Sequence, residues 1–257
     1  YFKNLNKSKP ECLVHREDVK YDNRKRKRIK FINTLKRWSG KLIEPRYTKN
    51  ISSSEIKNKI SEIATLPENR ISRLKRLMLS KKIVRILESH NSLTGLIIEN
   101  LKILNKNSSV EFDGMWSSSL TDSATKGKPD NSSLDFSARI SSLNDMMDVT
   151  TKPLVFDADN GGQLEHLPFL IRSLERSGVS AIIMEDKIGL KKNSLFKNQS
   201  DTQQDKPQTF AKKIKKICSA RISNDFLVIA RIESFIVGKG LKDALYRAEI
   251  YSKAGAD

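Results

Sequence analysis

The sequence predicts an α/β fold built on a parallel sheet, and three observations carry the prediction. From Ile83 onward, short apolar runs alternate with longer segments of helical period, the pattern of parallel strands joined by crossover helices. The apolar runs are only three to five residues long and are bounded by turn residues, too short for helices. Each run ends in polar or charged side chains. That describes one rim of a (β/α) barrel or of an open α/β sheet, where such folds place their chemistry.

Residues 1–70 precede this pattern and read as a basic, mainly helical N-terminal extension. The run Arg24-Lys25-Arg26-Lys27-Arg28-Ile29-Lys30 is followed by Phe31, Ile32, Leu35 and Trp38 at helical spacing, which predicts a basic amphipathic helix. Ser52-Ser53-Ser54-Glu55 can cap a helix carrying Ile56, Ile60 and Ile63. Pro67 breaks that pattern. A further helical stretch starts at Ile71 and runs through Leu74, Leu77 and Met78.

The barrel-like pattern occupies residues 71–257. Ile83 to Leu87 is the first strand, ending in Glu88-Ser89-His90-Asn91, and Thr94 to Leu104 is a helix. Phe112 to Trp116 is a strand ending in Ser117-Ser118-Ser119, and Ser133 to Met147 is helical. Leu154 to Phe156 is a strand ending in Asp157-Ala158-Asp159. Leu164 to Arg176 is helical, with Pro168 in its first turn. Ala181 to Met184 is a strand ending in Glu185-Asp186-Lys187, and Phe210 to Cys218 is helical. Phe226 to Ala230 is the fifth strand, ending in Arg231 and Glu233, and Leu241 to Ser252 is the last helix. A barrel needs eight such units. The expectation is therefore a barrel truncated at its C-terminus after about five strands, a fragment inactive as it stands.

Charge and cysteine usage narrow the class. The net charge of +18 is concentrated at the N-terminus, where residues 1–80 hold 22 Lys and Arg against 8 Asp and Glu. The rest is only mildly basic, so the overall charge says little about the barrel. The basic segment 1–50 leaves one non-enzymatic alternative, contact with nucleic acid or an anionic surface. No zinc-finger, RNP or glycine-loop pattern supports it, and nucleic acid is not the expected partner. Cys12 and Cys218 are the only cysteines, which excludes a disulfide framework and a Cys-rich zinc site. No run of about 18 apolar residues is present and no secretory signal is visible. The cytoplasm is the default compartment.

Asp157, Asp159 and Glu185 fall at adjacent strand ends. Three carboxylates on one rim repel unless a cation sits among them, and an all-oxygen set suits Mg²⁺ held partly through water. The alternative is that one of them pairs with Lys187 or Arg231 and no metal binds. Arg231 offers a fork for a carboxylate or phosphate, and Lys191 and Asn193 follow on a polar loop. Together these residues describe a site for a small substrate with several negative charges. His90 reads as a rim residue that structures the sheet end. Met146, Met147 and Met184 read as packing residues.

Several segments carry a resemblance in order and spacing: ESHNSLTG at 88–95, FDGMWSSSL at 112–120, KPDNSS at 128–133, PLVFDAD at 153–159, EDKIGLKKNS at 185–194, and the run from Ile229 to Asp257. From about residue 75 to the end, the sequence resembles the phosphoenolpyruvate mutases of the isocitrate lyase/phosphoenolpyruvate mutase superfamily. The resemblance implies a (β/α)₈ TIM-type barrel, assembled as a homo-oligomer that exchanges its last helix. It implies an isomerase that interconverts phosphoenolpyruvate and phosphonopyruvate, the C–P bond-forming step of phosphonate biosynthesis. Asp157 would be the principal Mg²⁺ ligand, with Asp159 and Glu185 supporting through waters. Trp116, Ser118, Ser119 and Leu120 match the segment that cradles the pyruvyl part, Ser119 standing where the family usually has glycine. Arg231 would hold the anionic end, and Asp130 matches an aspartate near the metal and the transferring group. Lys191 and Asn193 match the loop over the phosphoryl group. Related phosphonopyruvate hydrolases typically lack that asparagine, and the lyases carry a cysteine in KKCGH where this chain reads KKNSL. Hydrolysis of phosphonopyruvate, or other 2-oxo acid chemistry, is the enzymatic alternative.

Overall fold

A computed structural model of the chain describes residues 2–14, 25–44, 58, 61–105, 108–189, 191 and 203–257. It divides into two compact units, residues 1–58 and 59–257.

The first unit contains helix α1 (Phe2–Ser8), strand β1 (Cys12–Val14), helix α2 (Lys25–Leu35) and strand β2 (Lys41–Ile43). The amphipathic helix expected after Arg24 is α2. It buries Phe31 and Leu35 with Leu5, against Leu13, Trp38 and Leu42. β1 and β2 pair in parallel, Leu13 opposite Leu42, a small ladder the sequence pattern did not announce. The segment Ser52–Glu55 lies outside the described residues.

The second unit opens with α3 (Pro67–Ser80). Pro67 starts this helix at its first turn, where the missing N–H costs nothing. The five-stranded main sheet begins with β3 (Ile86–Glu88) and continues, beyond α4 (Ser92–Asn100) and the hairpin of β4 (Lys102–Asn105) and β5 (Ser108–Glu111), with β6 (Gly114–Ser117). α5 (Ser119–Thr125) and α6 (Phe136–Val149) lead to β7 (Leu154–Asp157). α7 (Leu167–Arg176) leads to β8 (Ala181–Glu185), and Pro168 lies in its first turn. The short ribbon β9 (Lys187–Ile188) and β10 (Gln203–Gln204), α8 (Pro207–Ala220), β11 (Leu227–Arg231) and α9 (Gly240–Lys253) complete the unit.

One expected helix is shorter than the sequence suggested. The apolar run through Leu104 continues a helical period, but α4 stops at Asn100 and residues 102–111 turn back as an antiparallel hairpin. The physical reason is the far strand: Ile103 pairs with Val110 and Lys102 with Glu111, partners that a period count along one segment does not include.

The sheet order is β3-β6-β7-β8-β11, every pair parallel. Each new strand joins the same edge, so the winding never reverses. That is the progression of a barrel rather than of a doubly wound sheet, whose order switches direction. The outer face packs Leu154, Phe156, Ile182 and Val228 under α6, α7 and α8. The inner face carries Val155, Ala181 and Leu227 with Ile86, Ile183 and Ile229, closed by Leu74 of α3. Side chains alternate along a strand, so Asp157, Glu185 and Arg231 continue the inner face set by Val155, Ile183 and Ile229. Register places Arg231 beside Glu185, Asp157 beside Ile183, and Trp116 beside Val155.

Candidate active site at the C-terminal rim

The rim divides into two charge clusters. The first is acidic. Asp157 is buried; its Oδ1 accepts the main-chain N–H of Asp159 at 3.0 Å and its Oδ2 the hydroxyl of Ser119 at 3.2 Å. Asp159 adopts a left-handed conformation, φ 51°, which bends the chain back over the strand end. Lys191 enters this cluster, pairing with Asp159, reaching Asp130 at 2.6 Å and bonding Ser119. Among the described residues, Asp130, Asp157 and Asp159 thus share one nearby ammonium, Lys191. Burial raises the carboxyl pKa of Asp157, and the charge of Asp159 raises it further, against the pull of Lys191. Burial works against the charge on Lys191, yet Asp159, Asp130 and Asp157 hold its pKa above the ordinary value.

The second cluster pairs acids with cations. Glu185 lies 2.6 Å from Arg231 Nη2 and 3.7 Å from Lys187; Glu233 lies 2.5 Å from Arg231 Nε and 3.3 Å from Lys187. Burial pushes Glu185 up to about 7, with Arg231 and Lys187 opposing and Glu233 and Asp157 reinforcing. Arg231, despite burial, is held above its usual value by Glu185 and Glu233.

Among the described residues no three His, Cys, Asp or Glu side chains are arranged to hold a metal ion by themselves. Asp157, Asp159 and Glu185 share the rim but do not form a closed ligand shell: Lys191 sits on Asp159 and Arg231 on Glu185. What does fit a cation is the charge of the acidic cluster. Among the described residues, three carboxylates against one ammonium leave an excess of two negative charges on oxygen donors, the demand a hard divalent ion meets with water completing its shell.

The other expected residues fall around these clusters. Trp116 is half-buried on the inner face, and its buried indole N–H meets no hydrogen-bond partner among the described residues. Ser118 precedes α5 as its N-cap residue, and Leu120 is 37 % exposed. His90 Nδ1 lies 3.2 Å from Glu88, whose carboxylate also takes the hydroxyl of Thr121. His90 therefore belongs to the sheet end rather than to the acidic cluster. Asn193 lies outside the described residues.

Sequence reasoning passed over the supports. Arg139, in α6, is 2 % exposed. It donates to Asp122 at 2.8 Å, to the main-chain oxygen of Asp157 at 2.5 Å and to that of Ser117 at 3.3 Å, and it stacks on Phe156. It ties the ends of β6 and β7 together. Asp186, fully buried, accepts from Gln204, the Glu233 main chain, Arg247 and Tyr251. Charged residues on otherwise apolar helix faces were the available signal; Arg139 lies four residues before Leu143, in line with the buried face.

Comparisons with known proteins bear on the family and the fold. Residues 74–257 match the family model described as phosphoenolpyruvate phosphomutase. The phosphoenolpyruvate phosphomutase of Tetrahymena pyriformis is 36 % identical over 188 residues, covering 72 % of this chain and 59 % of that protein. The crystal structure of a phosphoenolpyruvate phosphomutase from Streptomyces platensis subsp. rosaceus superposes with a TM-score of 0.65 at 33 % identity, over 73 % of this chain and 62 % of that one. A phosphonopyruvate hydrolase solved in complex with oxalate and Mg²⁺ superposes with a TM-score of 0.62 at 28 % identity, over 73 % and 61 %. The chain thus spans about three-fifths of the length of the relatives it matches. The one-directional parallel sheet is the TIM-type α/β fold of this superfamily, and the chain belongs to the phosphoenolpyruvate phosphomutase family.

Proposed function

We propose that this protein interconverts phosphoenolpyruvate and phosphonopyruvate in a Mg²⁺-dependent reaction. The observation that carries the proposal is the pairing of an acidic, cation-seeking cluster at Asp157 with Arg231 on the same inner face. In the direction of C–P bond formation the ester P–O bond breaks, the enol oxygen becomes the ketone oxygen, and the phosphorus is captured by the methylene carbon. No proton or water is consumed. The phosphoryl group passes through a loose, metaphosphate-like state, so the protein must hold it, spread its charge and keep water out.

Asp157 would hold Mg²⁺ directly, with Asp159 and Glu185 acting through its waters; bound there, the ion would stabilise the enolate oxygen of pyruvate. Arg231 would bind the carboxylate end. The buried indole N–H of Trp116, with Ser118, Ser119 and Leu120, would line the pyruvyl part. Lys191, already beside Asp130, would move its ammonium to the phosphoryl oxygens. Asn193, a neutral donor by sequence, would steady the migrating group without attacking it. The substrate is a small molecule, and homo-oligomeric assembly is expected from the family.

The test is a ³¹P NMR time course with phosphonopyruvate and Mg²⁺ on the purified protein at its full natural length. Conversion to phosphoenolpyruvate, suppressed by Asn193→Ala, is the expected result. Conversion to inorganic phosphate would identify a hydrolase on the same scaffold. A protein that binds Mg²⁺ but changes neither signal would limit the assignment to the fold.

A further inference from the structure

Glu185 and Glu233 each touch both Arg231 and Lys187. The two carboxylates are not equivalent. Arg231 Nε donates to Glu233 Oε1 at 2.5 Å as an aligned hydrogen bond. Glu185 Oε2, although 2.6 Å from Arg231 Nη2, receives no aligned hydrogen bond. Charge-assisted, aligned contacts are the strong ones, and misaligned ones weaken steeply. Glu233 is also fixed from below. Its main-chain N–H donates to Asp186 Oδ1 at 3.0 Å, and the other oxygen of Asp186 takes Tyr251 at 2.6 Å and Arg247 at 3.0 Å. The Glu185 main-chain N–H is held as well, donating to the main-chain oxygen of Asp159 at 2.8 Å, so the difference between the two residues lies in how their carboxylates meet Arg231.

We infer that Glu233 is a positioning residue for Arg231: it is the permanent partner that fixes the guanidinium through Nε, while Glu185 is the exchangeable partner that yields the Nη side to a bound dianion. Holding a guanidinium by Nε leaves its Nη edge preset for a carboxylate, so little rotamer freedom is lost on binding. The role in ligand binding rests on the proposal that Arg231 takes the anionic end of the substrate; the fixing of Arg231 does not.

The experiment uses the full chain with ¹⁵N-labelled arginine, and oxalate with Mg²⁺ as the probe. In wild type the Arg231 Nε–H proton resonates downfield and exchanges slowly. Glu233→Gln moves it toward the free-guanidinium position and speeds its exchange, whereas Glu185→Gln leaves it in place. The Nε–H of Arg139, bonded to Asp122, stays put in both and reports intact folding. Oxalate binds Glu233→Gln about tenfold more weakly, the loss of one charge-assisted restraint. Should the single variant fold poorly because two cations then face Glu185 alone, the double variant Lys187→Met/Glu233→Gln removes one charge of each sign and shows the same Nε–H shift. An Nε–H signal that ignores Glu233→Gln, or follows Glu185→Gln instead, overturns the inference. A wild-type chain that does not bind oxalate overturns the substrate role of Arg231 and leaves the Nε–H comparison to decide the positioning on its own.

Discussion

Lys191 places its ammonium 2.6 Å from the Oδ1 of Asp130, and the same ammonium pairs with Asp159. The loop lysine is thus in direct contact with two carboxylates of the acidic cluster. A lysine in that position competes with a divalent ion for the same oxygens. Lys191→Met should therefore bind Mn²⁺ more tightly than wild type in the absence of substrate, by at least about tenfold, because one charge about 4 Å away at intermediate dielectric is worth more than the ~1.4 kcal/mol of a tenfold change. Titration followed by electron paramagnetic resonance reads this directly. Equal or weaker Mn²⁺ binding by the variant would place the cation elsewhere than among Asp130, Asp157 and Asp159.

Arg139 carries a different kind of load. Its guanidinium neutralises Asp122, which is 5 % exposed and also takes the Ser117 hydroxyl. Arg139→Met removes the cation and leaves the carboxylate buried and uncompensated, at a cost of about 3–5 kcal/mol. Arg139→Met/Asp122→Leu removes both charges and should recover most of that loss, because an apolar pair of similar volume often equals a buried ion pair. Urea unfolding curves of the two variants test the difference.

Legibility in the sequence differs by residue. The strands were legible, because three to five apolar residues ending in charge are too few for a helix and suit a buried strand; β7 and β8 were displaced by no more than one residue at either end. The rim residues were also legible, since a carboxylate or arginine directly after an apolar run stands at a strand end whichever α/β fold is built. The hairpin of residues 102–111 was not, because Leu101 to Leu104 satisfies a helical period and its pairing partner lies across a turn. Arg139, Asp186 and Arg247 were not, because their roles depend on atoms brought together from distant segments: Arg247 reaches Asp186 across 61 residues of chain. The occupation of Asp159 by Lys191 was equally invisible, since spacing gives proximity of segments but not the partner an ammonium selects.

Gly161 limits what the turn after β7 can tolerate. Its φ is +79°, and a Cβ there would stand 2.5 Å from the Sδ of buried Met184. Gly161→Ala combines a left-handed strain of about 1–2 kcal/mol with overpacking of about 1–3 kcal/mol. Gly238, at φ +76°, has open space around it, so Gly238→Ala should cost only the strain, about 1 kcal/mol. Thermal unfolding of both variants separates backbone conformation from crowding. Because Gly161 follows Asp159 closely in the same turn, its variant should also weaken Mn²⁺ binding, and Gly238→Ala should not.

The pH dependence of stability follows from Glu185. Burial pushes its carboxyl up to about 7 from an ordinary 4.5. Between those values the folded protein holds a proton that the unfolded chain has released, so folding is favoured by lower pH across this window and disfavoured as pH rises through 7. Glutamine mimics the protonated acid and carries no such dependence. The melting temperature of wild type should therefore fall relative to that of Glu185→Gln as pH rises from about 5 to 8, the two being most alike at the acid end. The sign is opposite to that of a carboxylate stabilised by its ion pairs, whose wild-type advantage grows as pH rises. A wild-type advantage that grows toward pH 8 would mean that Arg231 and Lys187 outweigh the burial of Glu185 and keep it ionised. Repeating the comparison with Mg²⁺ present separates the two roles of the residue: an ion near Glu185 favours the ionised form, so the relative loss between pH 5 and 8 should shrink.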